Sequence, residues 1–169
     1  MDVLQAIFTR RSIRNFTGEP LNQEELETVL KAGFFAPSAH NMQPWDFVVI
    51  KSTEKLEHIA RIHPYANILS QAGCAIIVCG DTEKQNLEGF LIEDCSAAIQ
   101  NILLAAHGIG LGAVWSGIYP LPELIQLIKD TIKLPDTIIP VGMVIIGHKS
   151  QDSEPSDRYD SEKIHYDQW

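Results

Sequence analysis

The sequence predicts an α+β fold, because helix-like and strand-like segments are mixed along the chain without strict strand–helix alternation. Helix-like segments repeat apolar residues at helical spacing, as Leu26, Val29 and Leu30 do. Strand-like segments are short apolar runs such as Cys74–Gly80. Of the 169 residues, 45% are hydrophobic and 21% are charged, which is the composition of an ordinary globular protein. We therefore expect one domain over residues 1–169.

The N-terminal half of the chain predicts three helices and one strand. Asn22 begins the second helix, because Glu25 stands three residues later in the capping-box position. Ser52 is a suitable N-cap for the third helix, which carries Leu56 and Ile59 at helical spacing. The predicted elements are a helix over Val3–Thr9, a helix from Asn22 that ends before Pro37, a strand between Pro44 and Lys51, and a helix after Ser52.

The C-terminal half predicts three strands and two helices. The run Cys74–Gly80 is continuously apolar, so this strand should be buried on both faces. Pro140 lacks a backbone donor, which predicts an edge position or an irregular start for the last strand. The remaining elements are a helix over Glu88–His107, a strand over Gly110–Trp115, a helix from Pro122 to Leu134-Pro135, and the last strand over Thr137–Gly147.

Charge and cysteine content exclude several classes of protein. The net charge of −9 argues against a nucleic-acid partner, because such binding depends on Lys and Arg neutralising phosphates. No run reaches the roughly 18 apolar residues that span a membrane, and the N-terminus is too polar for a signal peptide. The three cysteines have neither a C-x-x-C motif nor zinc-ligand spacing. We expect a cytoplasmic protein without a metal site.

A basic cluster stands out against this acidic background. Arg10, Arg11 and Arg14 lie within five residues, with Ser12 between them. Three neighbouring cations repel one another unless an anion lies between them, and a phosphate would accept charge-assisted hydrogen bonds from all of them. The alternative is a solvated basic helix end that complements the helix dipole. The cluster alone leaves both interpretations open.

A polar loop joins the second helix to the first strand, from Ala36 to Trp45. Asn41 and Gln43 each present a hydrogen-bond donor and an acceptor, as reading the edge of a heterocycle requires. An ordinary polar loop would have the same composition, and His40 within it is either a proton donor or simply solvated.

Small residues surround the third predicted strand. Gly108 to Ala113 matches G-x-G-x-x-A, but a helix precedes it and a strand follows, so we reject a dinucleotide-binding fingerprint. These glycines are better explained as a helix C-cap and a tight turn. Ser116 and Gly117 either leave their backbone N–H groups open to a ligand or form a plain strand-end turn.

Together these segments resemble the nitroreductase family of FMN-dependent enzymes. The segment RRSIRNF resembles the family's R-R-S-x-R, and SAHNMQPW resembles its S-x-x-N-x-Q-P-W. The segment GLGAVW resembles its glycine-rich turn and strand, and DRYDSEKIHYDQW resembles the tail of its short members. The resemblance covers essentially the whole chain. It implies a mostly antiparallel central sheet flanked by helices, in an interlocked homodimer with FMN at the interface. The tail aromatics Tyr159, Tyr166 and Trp169 are expected to dock against another surface.

The resemblance also implies roles for individual residues around FMN. Arg10, Arg11 and Ser12 would hold the phosphate with Arg158, and Arg14 would lie near flavin N1 and the C2 carbonyl. Ser156 stands where longer relatives carry a second cation, and the Tyr65–Asn67 region aligns too loosely to assign. Pro37, Ser38 and Asn41 would come from the other subunit, and Ser116 and Gly117 would face flavin N5 through the backbone. The remaining predicted cofactor-binding residues are Ala39, Gln43 and Trp115.

The implied activity is reduction of small planar acceptors, such as quinones and nitroaromatics, with NADH or NADPH by a ping-pong hydride mechanism. The flavin carries the chemistry, so no catalytic side chain is predicted. Two alternatives remain at this point. One is a flavin-binding redox sensor or carrier without useful turnover, and the other is a phosphate-binding module supported only by the arginines.

Overall fold

Four strands form one antiparallel sheet in the computed structural model, which describes all 169 residues. The strands are β1 (Trp45–Ile50), β2 (Cys74–Asp81), β3 (Gly112–Gly117) and β4 (Ile138–Gly147). Their spatial order is β1-β2-β4-β3, so β1 and β3 are the two edges. The predicted α+β class and antiparallel sheet are confirmed.

Five helices flank this sheet, close to the predicted positions. The predicted capping box is present at α2, where Glu25 N–H donates to Asn22 Oδ1 and Asn22 N–H donates to Glu25 Oε2, both at 2.9 Å. Ser52 caps α3 by accepting from Lys55 N–H. The helices are α1 (Val3–Thr9), α2 (Gln23–Phe34), α3 (Thr53–Ile62), α4 (Glu88–Gly108) and α5 (Pro122–Ile132).

Two apolar layers lie on opposite faces of the sheet. One layer packs α2 and α4 against side chains such as Ile76 and Val144. The other packs α3 and α5 against side chains such as Ile77 and Ile145. Strand β2 contributes to both layers and is buried along Cys74–Gly80, as its continuous apolar run predicts. Helix α4 is long and apolar enough for a membrane span, but most of its apolar side chains pack in the first layer.

Pro140 lies in a central strand, so the predicted edge position is wrong and the predicted irregular start is confirmed. The pairing of β4 with β2 shifts between Val78, opposite Gly142, and Cys79, opposite Pro140. Pairing of β4 with β3 ends at Gly142. Pro140 therefore lies beyond the ladder to β3, where its missing N–H breaks no hydrogen bond to that strand.

The apolar side of α1 is exposed. Only Ala6 of this helix is buried, whereas four larger apolar side chains are open to solvent: Val3, Leu4, Ile7 and Phe8. The C-terminal tail is also exposed from residue 151 to 159 and from 161 to 169, and Trp169 is fully exposed. Within this chain the tail aromatics do not dock, so their predicted docking surface would have to belong to another molecule.

Candidate functional site

The arginine segment follows α1 and contacts the edge strand β3. Arg10 is the C-cap of α1. Three residues later, Ile13 N–H donates to the carbonyl oxygen of Ala113 at 3.0 Å, and the Ile13 side chain is buried. The segment therefore links the end of α1 to the outer edge of the sheet.

The first cleft, which we call the arginine cleft, has a volume of about 550 Å³ and joins this segment to the tail. Arg11 Nη2 donates to the carbonyl and hydroxyl oxygens of Ser156 at 2.8 and 3.1 Å. Arg158 Nε lies 3.5 Å from the same hydroxyl. The arginine cleft is lined by Ile7, Phe8, Arg10, Arg11, Ser156, Asp157, Arg158 and Tyr159.

The arginines of this cleft have no carboxylate partner. Neither the cleft residues Arg10, Arg11 and Arg158 nor the nearby Arg14 makes a salt bridge, although the chain carries 22 acidic residues. Burial lowers the pKa of Arg10, and the charges of Arg158 and Arg11 lower it further. The Nε atom of Arg11 is buried without a hydrogen-bond partner. This uncompensated charge favours the anion-site hypothesis over a solvated helix end.

The second cleft, the β3-edge cleft, has a volume of about 360 Å³ and brings Arg14 next to Trp115, Ser116 and Gly117. Arg14 is its only charged lining residue. Because Ala113 uses its carbonyl on the outer edge, alternation along the strand places the backbone N–H groups of Trp115 and Gly117 on that same edge. These donors face the side of the sheet that no strand covers.

Ser116 lines this cleft and has an unused hydroxyl. The residue is 8% exposed, and its Oγ atom is buried without a hydrogen-bond partner. Buried polar atoms are rarely left unpaired, and no neighbouring group of this chain pairs with this hydroxyl. Tyr65, Asn67 and Ile68 line the same cleft, although sequence reasoning left this region unassigned. No local pattern could have assigned it, because the contact depends on how the segment after α3 folds back to β3.

The loop from Pro37 to Gln43, which we call the αL loop, has an unusual backbone. His40, Asn41 and Gln43 have positive φ values of 51°, 56° and 49°. A non-glycine residue in this region costs about 1–3 kcal/mol, and such positions are enriched at functional sites. Inside the loop, Ser38 Oγ accepts from Gln43 N–H at 3.0 Å, and Gln43 Nε2 donates to Asn41 Oδ1 at 3.2 Å.

The αL loop lies against α4 rather than beside the other two clefts. Pro37, Ser38 and Ala39 line a third cleft of about 330 Å³ together with α4 residues, including Glu93 and Asp94. Asn41 and Gln43 are exposed, and so are His40 and Ser12. The structure thus groups the predicted residues in three places. Within a single chain, the αL loop is separate from both clefts that contain arginines.

The cysteines do not offer reactive thiols. Cys74, Cys79 and Cys95 are buried, and burial raises the pKa of each thiol to about 12. A thiol in this environment stays protonated at neutral pH and is a poor nucleophile. The chemistry of the protein must therefore depend on other groups.

The fold of this chain is that of a known class of protein. The family model described as the nitroreductase family matches residues 7–72 and 60–148. The chain belongs to this family, so the resemblance recognised in the sequence is confirmed. Solved structures of the same fold confirm the predicted architecture.

Three relatives illustrate the similarity. A Methanothermobacter thermautotrophicus protein with the provisional name NADH dehydrogenase/NAD(P)H nitroreductase is 41% identical, over 100% of this chain and 88% of its own length. A Bacteroides thetaiotaomicron structure with the same provisional name is 40% identical, with a TM-score of 0.94 and coverage of 98% of this chain and 97% of that one. A Desulfovibrio desulfuricans protein, provisionally a nitroreductase, was solved in complex with FMN; it is 33% identical, with a TM-score of 0.86 and coverage of 100% and 98%. Relatives of this chain thus have the predicted cofactor, FMN, and the predicted enzyme class.

Proposed function

We propose that this protein is a cytoplasmic, homodimeric oxidoreductase that binds FMN and uses NADH or NADPH to reduce small planar acceptors such as quinones and nitroaromatics. The observation that carries the proposal is the arginine cleft, where Arg10, Arg11 and Arg158 converge and none of them forms a salt bridge, although Asp157 also lines the cleft. In a chain with a net charge of −9, cations left unpaired around one cleft are best explained by an anionic ligand. The phosphate of FMN is such a ligand, and the FMN complex of a 33% identical relative supports the choice.

The β3-edge cleft suits the ring system of the same cofactor. Arg14 can bind the electron-poor pyrimidine end and stabilise negative charge that develops there. The Gly117 N–H can donate to an acceptor that lies along the strand edge, and no side chain obstructs its approach. The arginine segment connects both clefts, so one molecule can contact both ends of the segment.

FMN, when bound, supplies a two-electron redox centre that both NAD(P)H and the acceptor can reach in turn. The chain's own residues then bind and orient the cofactor, hold positive charge near its reducible ring and leave one face open. The buried thiols take no part, since their pKa values are far above neutral. A single open face serves both substrates, which corresponds to ping-pong kinetics and to flat acceptors.

A second subunit would bring the αL loop to the cofactor. In one chain this loop lies in a separate cleft from the arginines, so Pro37, Ser38, Ala39, Asn41 and Gln43 can contact FMN only from a partner. The exposed apolar side of α1 and the exposed tail provide surface for that association. Tyr159, Tyr166 and Trp169 would then dock on the partner.

The experiment is to purify the protein and record its oligomeric state and visible absorbance. We expect a yellow dimer with one FMN per chain, bleached by NADH or NADPH under anaerobic conditions and reoxidised by a quinone or nitroaromatic with parallel-line kinetics. Colourless protein that cannot be reconstituted with FMN overturns the proposal. A dimer that binds FMN and is bleached but does not turn over with any acceptor is the redox carrier instead.

A further inference from the structure

Asp94 of α4 contacts the αL loop from an apolar environment. The residue is 5% exposed and lies on α4 next to the core side chains Leu91, Cys95 and Ala98. Its Oδ1 atom accepts a hydrogen bond from Ala39 N–H at 2.8 Å. Its Oδ2 atom is buried without a partner.

This bond is the only hydrogen bond that joins residues 37–43 to another element of the fold. The other bonds of the αL loop are internal: Asn41 N–H to Ser38 O, Met42 N–H to Ala39 O, Gln43 N–H to Ser38 Oγ, and Gln43 Nε2 to Asn41 Oδ1. Internal bonds give the loop its shape, but they do not fix its position on the protein. The position of the loop relative to α4 depends on the Ala39–Asp94 bond.

Core packing does not account for a carboxylate at this position. Burying a charged group is unfavourable unless its oxygens are hydrogen-bonded, and one oxygen of Asp94 is not. An apolar side chain would fill the same space on α4 without that cost. What a carboxylate adds here is the acceptor for the Ala39 peptide.

We infer that Asp94 is a positioning residue, which fixes the Ala39 peptide and thereby holds the αL loop where it contacts the FMN bound by the partner subunit. The inference rests on the proposed function for the role of the loop, but the contact itself belongs to this chain. Asp94 touches neither FMN nor substrate. It acts through Ala39 and the residues that follow it.

The experiment compares Asp94→Ala with Asp94→Asn in the full-length dimer. The amide oxygen of Asn can still accept from Ala39 N–H, so this variant should rescue the loop. Glu93→Ala is the matched control, because it removes a neighbouring carboxylate of the same cleft that makes no hydrogen bond to the loop. Two properties are measured: hydrogen exchange of the peptide that covers residues 38–43, and the Kd for FMN from quenching of flavin fluorescence.

For Asp94→Ala we expect faster exchange over residues 38–43 and FMN binding weakened on the order of tenfold, as for loss of a hydrogen bond to a charged group. Asp94→Asn and Glu93→Ala should stay close to wild type in both measurements. Unchanged exchange and unchanged Kd in Asp94→Ala overturn the inference. So does an Asp94→Asn variant as impaired as Asp94→Ala, since the hydrogen-bond acceptor is then not what matters.

Ala39→Pro tests the same bond from the loop, should Asp94→Ala fail to fold. Ser38 has extended backbone angles (φ −143°, ψ 152°) and Ala39 is the first residue of a short helical turn, so proline suits the position while removing the N–H. Exchange over residues 40–43 should rise in Ala39→Pro, because the Ala39 N–H that donates to Asp94 is removed, whereas Asp94→Asn should keep the wild-type exchange. Unchanged exchange in Ala39→Pro overturns the inference. If wild type binds no FMN, the proposed function fails, and the exchange data still decide whether Asp94 holds the loop.

Discussion

Arg11 and Ser156 are joined by two hydrogen bonds, of 2.8 and 3.1 Å, although 145 positions separate them in the sequence. The contact fastens the C-terminal tail to the arginine segment and brings Arg158 to the arginine cleft. Ser156 thus orients cations rather than supplying one.

Arg10→Ala should weaken FMN binding by about 10- to 100-fold, because one charge-assisted hydrogen bond to the phosphate is lost. The unfolding temperature of the FMN-free protein should not fall, since burial and repulsion from Arg158 and Arg11 all disfavour the Arg10 charge. Fluorescence titration and thermal melts measure both effects. Arg61→Ala is the control, as Arg61 is an exposed arginine whose ion pair with Glu57 lies on α3. Normal FMN affinity in Arg10→Ala contradicts the phosphate assignment.

A chain that ends at Pro155 should fold with nearly the same free energy of unfolding, because the removed residues are almost all exposed. It should lose FMN affinity, since Ser156 and Arg158 are gone, and dissociate more readily into monomers, since the tail aromatics are gone. Chemical denaturation and sedimentation velocity check these outcomes. A truncated chain that stays dimeric and keeps its affinity for FMN shows that the tail has neither role.

Gly117→Ala should reduce FMN binding without loss of stability. A Cβ at this position meets no atom of the chain within 4 Å, so the fold accommodates it, but it would project where the strand edge meets the cofactor. Gly89→Ala, which also meets nothing within 4 Å, is the control on exposed helix surface. Melting temperature and FMN titration separate the two effects. Equal FMN affinity in both variants contradicts the placement of the flavin at β3.

Gly142→Ala should destabilise the protein by about 1–3 kcal/mol, the usual cost of overpacking. A Cβ there would lie 2.4 Å from Trp115 Nε1 and 2.9 Å from Ile99 Cδ1, so the indole must move. Urea denaturation measures the loss, and near-ultraviolet circular dichroism reports the displaced Trp115. If the near-ultraviolet spectrum is unchanged, Trp115 does not pack on Gly142 in solution.

Stability should decrease as pH falls below about 6.5, in part through His63. This residue is 1% exposed, its Nδ1 accepts from Tyr65 N–H, and burial lowers its pKa below the ordinary histidine value of 6.5. Because the pKa of His63 is lower in the folded state, the unfolded chain binds the proton more tightly. The contribution of His63 to stability is therefore fully present above pH 6.5 and is lost as the pH falls through the folded-state pKa. In His63→Asn the slope between pH 7 and 5 should become shallower in urea denaturation, whereas exposed His58→Asn should keep the wild-type slope. Identical slopes in all three proteins would contradict this assignment.

Local signals in the sequence were enough to place the helices and strands. The Asn22–Glu25 capping box and the apolar run Cys74–Gly80 each depend on neighbours in sequence, and the structure contains both. Pro140 shows where such signals fail. The missing N–H of Pro140 means that it cannot donate a hydrogen bond to a neighbouring strand. It does not reveal that the pairing of β3 with β4 ends at Gly142, because that end depends on the length of β3.

The candidate site was predictable only where a motif is contiguous. Arg10, Arg11 and Ser116–Gly117 stand out in the sequence, and all line clefts or their rims. Asn67 and Asp94 do not, because their contacts depend on chain segments that fold together from distant positions. Asp94 was further hidden by its place in the apolar stripe of α4, where sequence gives no sign that its carboxylate accepts from Ala39, 55 residues away.

The crowded guanidinium groups at the end of α1 have a consequence for the protein's lifetime in a cell. Like charges held close together raise the free energy of the folded chain until a counter-charge arrives, and a ligand that binds only the folded state stabilises it by mass action. Newly made chains in a flavin-starved cell would consequently unfold more often and be degraded sooner. The supply of vitamin-derived cofactor then sets how much of this protein accumulates.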